Sequence, residues 1–82
     1  MAIKCILVNV DNVLISEVEE VMVEEGEPDC RLINPYRFFD EENMKPWVQA
    51  SNQTEYMLRS EDILTIADPS PEVIKKYKEL TL

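Results

Sequence analysis

The sequence predicts a small, mainly β protein, in which five short antiparallel strands form a bent barrel and an α-helix follows them. Short apolar runs rich in β-branched residues recur over residues 3–67 and are separated by turn signals. No long helical pattern alternates with them, which disfavours a parallel α/β sheet. With 82 residues, one domain is expected, with the barrel over residues 1–68 and the helix over residues 69–82.

The first two strands are predicted on either side of a tight turn. Residues 3–10, IKCILVNV, are apolar and too short for a stable helix. The Asp11-Asn12 pair that follows is a turn signal, because both side chains tolerate tight backbone geometry. Residues 13–23, VLISEVEEVMV, also fit one face of a helix, but their β-branched residues favour a strand. The segment EEGEPD, residues 24–29, contains the only glycine and a proline and is predicted to be a loop.

Three more strands are predicted in the second half of the chain. Residues 30–39, CRLINPYRFF, form the third strand, and Pro35 is expected to bend it or to place it at an edge, because proline donates no backbone hydrogen bond. Residues 40–46 are polar, end in proline and are predicted to be a loop. Residues 54–58 and 62–67 supply the fourth and fifth strands, linked by Arg59, Ser60 and Glu61.

The C-terminal segment is predicted to be an amphipathic helix. Ser70 is a suitable N-cap and Pro71 suits the first helical position. The apolar residues recur on one helical face, whereas the lysines project away from it. The apolar positions are Val73, Ile74, Tyr77 and Leu80.

Composition excludes several classes of function. The net charge of −9 argues against binding to nucleic acid through a broad basic surface. The chain has no histidine and only one glycine, which removes the commonest general base and metal ligand and any glycine-rich phosphate loop. Cys5 and Cys30 lack metal-ligand spacing, so buried free thiols are expected. No enzyme activity, metal, cofactor or membrane contact is predicted, and the cytoplasm is the expected compartment.

Residues 56–66, YMLRSEDILTI, resemble the second motif of Sm-like (LSm) proteins. Arg59 and Ile63 match that motif, whereas Ser60 stands where the family has glycine. Residues 11–15, DNVLI, resemble the polar turn and second strand of the first motif. The chain is also similar to small, divergent Sm-like proteins attributed to cyanophages, in the segments VLISEVEEV, LINPYRF, the Pro-Trp that follows and ILTIADPSPEVIKKY.

The resemblance implies an SH3-like barrel that assembles into a homo-oligomeric ring. In that family the fourth and fifth strands of neighbouring subunits pair edge to edge, and a ring of about five to seven subunits is expected. The implied interface residues are Tyr56, Leu58, Ile63, Leu64 and Ile66. A phage origin would place the protein in the host cytoplasm.

The resemblance also implies RNA binding at the ring pore, in an RNA-chaperone role. The candidate RNA-binding residues are Arg59, Lys75, Lys76 and Lys78. The alternative for Arg59 is a surface ion pair with Glu61 or Asp62, and the alternative for the lysines is the solvated side of the helix.

A second hypothesis is a non-enzymatic assembly or protein-interaction module of Sm-like fold that does not bind RNA. Residues 17–29 carry seven acids and no base, which would repel phosphates and suit a basic protein partner or a divalent ion. The alternative for this segment is a solvated face that keeps the protein soluble. The aromatic side chains could stack on bases, but packing in the core or at a subunit interface is the favoured interpretation.

Overall fold

The computed structural model describes residues 2–81, which form six strands and one α-helix. The elements are β1 (Ala2–Asn9), β2 (Asn12–Glu20), β3 (Cys30–Asp40), β4 (Asn43–Pro46), β5 (Glu55–Leu58), β6 (Thr65–Ala67) and α1 (Pro71–Leu80), with a 3-10 turn at Ser60–Asp62. All strand pairs are antiparallel. The prediction of a mainly β, antiparallel fold followed by a C-terminal helix is therefore confirmed.

The strands form one sheet in the order β4-β3-β2-β1-β6, and β5 also pairs with β3. β4 lies on the second half of β3, from Tyr36 to Asp40, and β5 lies on its first half, from Cys30 to Ile33. Within residues 2–81 no strand pairing joins β6 to β4 or β5, so the sheet is open. The predicted closure into a barrel through strand pairing is therefore not present in the single chain.

The strand β4 replaces part of a predicted loop. Residues 40–46 form a hairpin because the carboxylate of Asp40 accepts hydrogen bonds from the backbone N–H of Glu42, at 2.8 Å, and from the side-chain amide of Asn43, at 3.1 Å. Met44 then turns inward and is buried. A loop was predicted here because Met44 is the only buried residue in a segment that is otherwise polar.

Two predicted strands are shorter than expected. β2 ends at Glu20, so residues 21–23 belong to the loop that connects it to β3. β6 begins at Thr65 because residues 60–62 turn in a 3-10 conformation, which leaves Ile63 and Leu64 in the connection.

The bend predicted at Pro35 is a β-bulge. Ile15 of β2 lies opposite Tyr36, while Glu17 lies opposite Ile33, so β3 carries one more residue than β2 between these pairs. Asn34 takes the left-handed conformation that this requires, with φ of 53°. The bulge marks the point where the outer partner of β3 changes from β5 to β4.

The two faces of the sheet carry separate apolar cores, because neighbouring residues on a strand point to opposite faces. The helix-side core consists of Ile15, Met44, Val73 and Tyr77. The strand-side core consists of Ile6, Leu14 and Leu32, with Trp47, Leu58 and Ile63 packed against it.

Helix α1 is attached to the sheet at the bulge. The Oγ of Ser70 accepts a hydrogen bond from the backbone N–H of Val73, as predicted for the N-cap, at 3.3 Å. The hydroxyl of Tyr77 lies 2.8 Å from the carbonyl oxygen of Asn34 and 3.1 Å from that of Ile33, and it donates to this pair. Burial raises the pKa of Tyr77 from 10.0 to about 12, so the hydroxyl remains a donor in alkaline solution where an exposed tyrosine would ionise.

Candidate functional site

The acidic loop between β2 and β3 and the turn that follows β5 lie side by side and line a surface cavity of about 440 Å³. The loop contributes residues 21–27 and Asp29, and the turn contributes Arg59, Ser60 and Glu61. The structure thus brings together two segments that sequence analysis had treated separately, the acidic segment and the Arg59 turn.

Asp29 holds the turn against the loop. Its Oδ1 accepts a hydrogen bond from the backbone N–H of Ser60, and its Oδ2 accepts one from the Oγ of Ser60, each at 2.8 Å. These two hydrogen bonds lower the pKa of Asp29 below its ordinary value of 3.8, because they favour the ionised carboxylate. The side chain of Ser60 supplies the second of these donors, which a glycine at this position would lack.

The cavity is predominantly acidic. The guanidinium Nη1 of Arg59 lies 3.9 Å from Oε1 of Glu61, and both side chains are largely exposed. Glu24, Glu25 and Glu27 line the same cavity, so a single arginine faces several carboxylates. This arrangement matches the ion-pair alternative for Arg59 and provides little attraction for a phosphate backbone.

The lysines predicted for RNA lie on a different element. Lys75 and Lys76 of α1 line a surface cleft together with four glutamates, so the charge there is mixed. Those glutamates are Glu41, Glu42, Glu72 and Glu79. Lys78 is exposed in the last turn of the helix. Arg59 therefore lines a different cleft from Lys75 and Lys76, and Lys78 lines neither of the two.

Two further arginines are engaged in contacts within the chain. Arg31 forms ion pairs with Glu19, at 3.1 Å, and with Glu55, at 3.5 Å, and so ties β2, β3 and β5 together. Arg37 donates a hydrogen bond to the carbonyl oxygen of Asp11, at 3.0 Å, and lies over the ring of Phe39. These contacts give both side chains a structural role.

The predicted interface residues lie on or beside the two strands β5 and β6. Tyr56 and Leu58 are half-buried on β5, and Ile63 is half-buried in the connection. By contrast, Leu64 is 66% exposed and Ile66 on β6 is 47% exposed. Within residues 2–81, β5 pairs only with β3 and β6 pairs only with β1, so each strand has one edge without a partner.

The three apolar side chains on these strands that were predicted for the interface, Tyr56, Leu58 and Ile66, share one face of the sheet. Ile66 lies directly opposite Ile6, which belongs to the strand-side core. Tyr56 lies opposite Leu32, which belongs to the same core. Direct partners in an antiparallel pair point to the same face, and so do residues two apart on a strand. Leu58, like Tyr56, therefore extends the strand-side core toward one edge, and Ile66 extends it toward the other.

A second surface feature was not predicted as a site. An uncharged groove of about 180 Å³ lies beside the bulge, between the ends of β4 and β5. Its lining includes Pro35, Pro46, Trp47 and Tyr56. The rings of Trp47 and Tyr56 pack edge to face, with their centroids 6.0 Å apart. The Pro46-Trp47 pair followed by the Asn52-Gln53 turn was the sequence signal that could have indicated it.

Neither cysteine shows the environment of a reactive thiol. Cys30 is buried and Cys5 is half-buried, and both are free. Burial raises the pKa of both thiols, and the neighbouring carboxylates of Asp29 and Glu20 raise that of Cys30 further. Among residues 2–81, no three His, Cys, Asp or Glu side chains are grouped so that they could hold a metal ion. The described part of the chain also contains no helix of the length and apolar character needed to span a bilayer.

Fold and surface together define a small antiparallel β protein with an acidic loop cavity, an uncharged aromatic groove and two unpaired apolar strand edges. The chain belongs to a family of unknown function (DUF6561), whose model matches residues 1–82. A comparison with curated proteins gives no match.

Proposed function

We propose that the protein is a homo-oligomeric assembly module of Sm-like type, in which β5 of one copy pairs with β6 of the next. The observation that carries this proposal is the exposure of Leu64 and Ile66 beside a strand edge that has no partner within residues 2–81. Such an edge is a template for pairing with another chain, and burial of its apolar side chains would favour that pairing.

The orientation of the side chains is compatible with this pairing. In one of the two antiparallel registers that place all three residues of β6 opposite β5, Glu55 faces Ala67 and Tyr56 faces Ile66, and Leu58 then faces Leu64, which precedes β6. The apolar pairs then lie on the face of the strand-side core, which would continue from one copy into the next. A slip of one residue would place Ile66 opposite Met57, on the other face, so the apolar pattern favours one parity of register.

The two edges are different, so the contact is head to tail. A contact of this kind forms a ring when its rotation closes, and the Sm-like resemblance favours a ring of about five to seven copies. Each copy would bring a charge of −9, with the acidic loops repeated around the assembly. A basic protein is the partner that this charge suits best.

RNA binding stays a prediction from the resemblance. Against it stands the local charge, since Arg59 shares its cavity with five carboxylates and Lys75 and Lys76 share theirs with four glutamates. We therefore propose assembly as the primary function and treat RNA binding as a separate property with its own test.

Native mass spectrometry and light scattering test the assembly. We expect the wild-type protein to have a mass several times that of the 9.6 kDa chain. Ile66→Lys places a charge on the edge and should yield a folded monomer. The matched control is Val10→Lys, because Val10 is 88% exposed in the turn between β1 and β2 and belongs to neither β5 nor β6. A monomeric wild-type protein, or an oligomer that survives Ile66→Lys, would contradict the proposal.

RNA binding is tested by titration of short U-rich and A-rich RNA at about 10 mM salt, where electrostatic attraction is least screened. Binding that Arg59→Ala weakens without changing the oligomer would support the RNA hypothesis at the turn. Binding that is insensitive to Arg59→Ala would move the site to Lys75, Lys76 and Lys78. An absence of binding under these conditions would leave the assembly module as the remaining function.

A further inference from the structure

The aromatic groove has the properties of a binding site for an extended, uncharged segment. The aromatic groove is the cleft whose lining includes Pro35, Pro46, Trp47, Tyr56 and the segment 51–54. Tyr36, Val48 and asparagine, glutamine, serine and threonine side chains make up the rest of its lining, and no residue among 2–81 that lines it carries a charge. Because 30% of the residues in this chain are charged, an uncharged cleft distinguishes this part of the surface from the rest. Aromatic clefts of this kind accept proline-containing segments, because such segments hold an extended conformation before they bind.

The chain itself contains a segment of this type. The linker, residues 68–71, has the sequence DPSP and leads from β6 into α1, whose first residue is Pro71. Asp68, Ser70 and Pro71 are exposed, and Pro69 is half-buried. The carboxylate of Asp68 is paired with the ammonium group of Lys4. The linker therefore carries an exposed proline ring, Pro71, and a half-buried one, Pro69, beside a paired charge.

The proposed strand pairing directs this linker toward the groove of the neighbouring copy. When Ala67 lies opposite Glu55, the linker continues past the start of β5, beyond Glu55. Extension of the same antiparallel register places Asp68 beside Thr54 and Ser70, whose backbone is extended, beside Asn52. The register ends there because Pro71 begins α1. Asn52 and Thr54 both line the aromatic groove.

We infer that, in the assembled protein, the linker of one copy occupies the aromatic groove of the next. This inference rests on the proposed pairing of β5 with β6 and adds a second contact to each interface. The groove of a single copy is then an incomplete site, which a neighbouring copy completes with Pro69 and Pro71. Uncharged proline rings would cover Trp47 and Tyr56, whereas the acidic loop lies outside this contact.

Trp47 provides a direct readout, because it is the only tryptophan in the chain and it lines the groove. The experiment measures quenching of its fluorescence by acrylamide, a neutral quencher, in samples whose mass is determined in parallel. We expect the quenching constant of the wild-type assembly to be about twofold lower than that of the Ile66→Lys monomer, because a packed interface excludes the quencher.

A linker variant separates the groove contact from the strand contact. Pro71→Glu brings a charge into the uncharged groove but suits the start of α1, where an acidic residue is favourable and the Ser70 cap is retained. We expect this variant to remain assembled while Trp47 becomes about twofold more accessible to acrylamide. Val10→Glu is the control for an added charge and should leave both the assembly and the quenching unchanged.

The outcomes distinguish this inference from the proposed function. An assembled wild-type protein in which Trp47 is as accessible as in the Ile66→Lys monomer would overturn the linker contact and leave the strand pairing intact. Protection of Trp47 that Pro71→Glu does not reduce would assign the groove to another occupant and would also overturn the inference. A wild-type protein that is monomeric would overturn the strand pairing and the linker contact together.

Discussion

The helix-side core and the strand-side core are built on opposite faces of the same sheet, but the chain covers them differently. Helix α1 lies over the helix-side core and places Val73 and Tyr77 in it, so this face is covered within one copy. The strand-side core extends to an edge where Leu64 and Ile66 are exposed. In a chain of this size, a ten-residue helix covers one face, and we propose that a second copy covers the edge of the other.

The largest expected effect is the loss of the helix-side core. Tyr77→Ala removes a ring that is 1% exposed together with its hydroxyl, and should lower the free energy of unfolding by about 3–5 kcal/mol. Urea denaturation in the Ile66→Lys background measures this loss without a contribution from assembly. Lys78→Ala, at an exposed position on the same helix, should cost less than about 0.5 kcal/mol. A similar loss in both variants would show that α1 is not anchored through Tyr77.

A smaller effect is expected at the edge of the strand-side core. Leu64→Ala should weaken association by about 1–2 kcal/mol per interface, because the side chain is exposed in one copy and buried in the proposed assembly. Analytical ultracentrifugation over a range of protein concentrations measures this shift, and unfolding of the dissociated chain should be nearly unchanged. An equal loss of stability in the monomer would place Leu64 in the core of a single copy instead.

Tyr77→Phe isolates the hydroxyl from the ring. The carbonyl groups of Ile33 and Asn34 would lose this donor, at a cost of about 1 kcal/mol in the free energy of unfolding.

The same variant tests how the free energy of unfolding depends on alkaline pH. The folded pKa of Tyr77 is raised from 10.0 to about 12, so its contribution is complete below pH 10 and is lost as the pH rises through the folded value. Equilibrium unfolding of both proteins from pH 8 to about 12 should show a smaller decline for the phenylalanine variant.

The smallest effect is expected at the acidic cavity, which belongs to neither core. Asp29→Asn should loosen the turn at Ser60 without changing the mass of the assembly, because the amide is a weaker acceptor than the carboxylate. Hydrogen exchange at the Ser60 amide is the measurement, with Glu27→Gln as the control in the same loop. The folded pKa of Asp29 is lowered, so its contribution is present above the ordinary value of 3.8 and is lost as the pH falls through the folded value. Equal exchange in wild type and Asp29→Asn at neutral pH would contradict this role.

The elements with strong local signals were predictable from the sequence. β1, β3 and α1 follow from apolar runs, from Pro35 and from the Ser70 cap with its first-turn proline. β4 was not, because its only buried side chain is Met44 and its turn depends on two hydrogen bonds to Asp40 that composition does not reveal. The openness of the sheet is a property of strand pairing between distant segments, for which a single sequence carries no local signal.

The candidate site was predictable only in part. The apolar residues at the edges of β5 and β6 could be selected because the motif around Arg59 resembles that of Sm-like proteins. The contact between Asp29 and Ser60 joins positions 31 residues apart, and the charge around Arg59 depends on it. The aromatic groove likewise requires Pro35 and Pro46 to lie near Trp47, which follows from the bulge and from β4 rather than from spacing along the chain.

The bulge at Asn34 also determines where the chain can change in length. An insertion in the acidic loop, or in the segment between Trp47 and Thr54, would lengthen a connection and leave both cores as they are. A residue added or removed between Ile33 and Tyr36 would reverse the facing of every side chain on one side of it, because facing alternates along a strand. Phe38 would leave the helix-side core, and Tyr77 would lose the carbonyl groups to which it donates. We therefore expect natural and engineered variants of this chain to differ in the lengths of their loops while this spacing of three residues stays fixed.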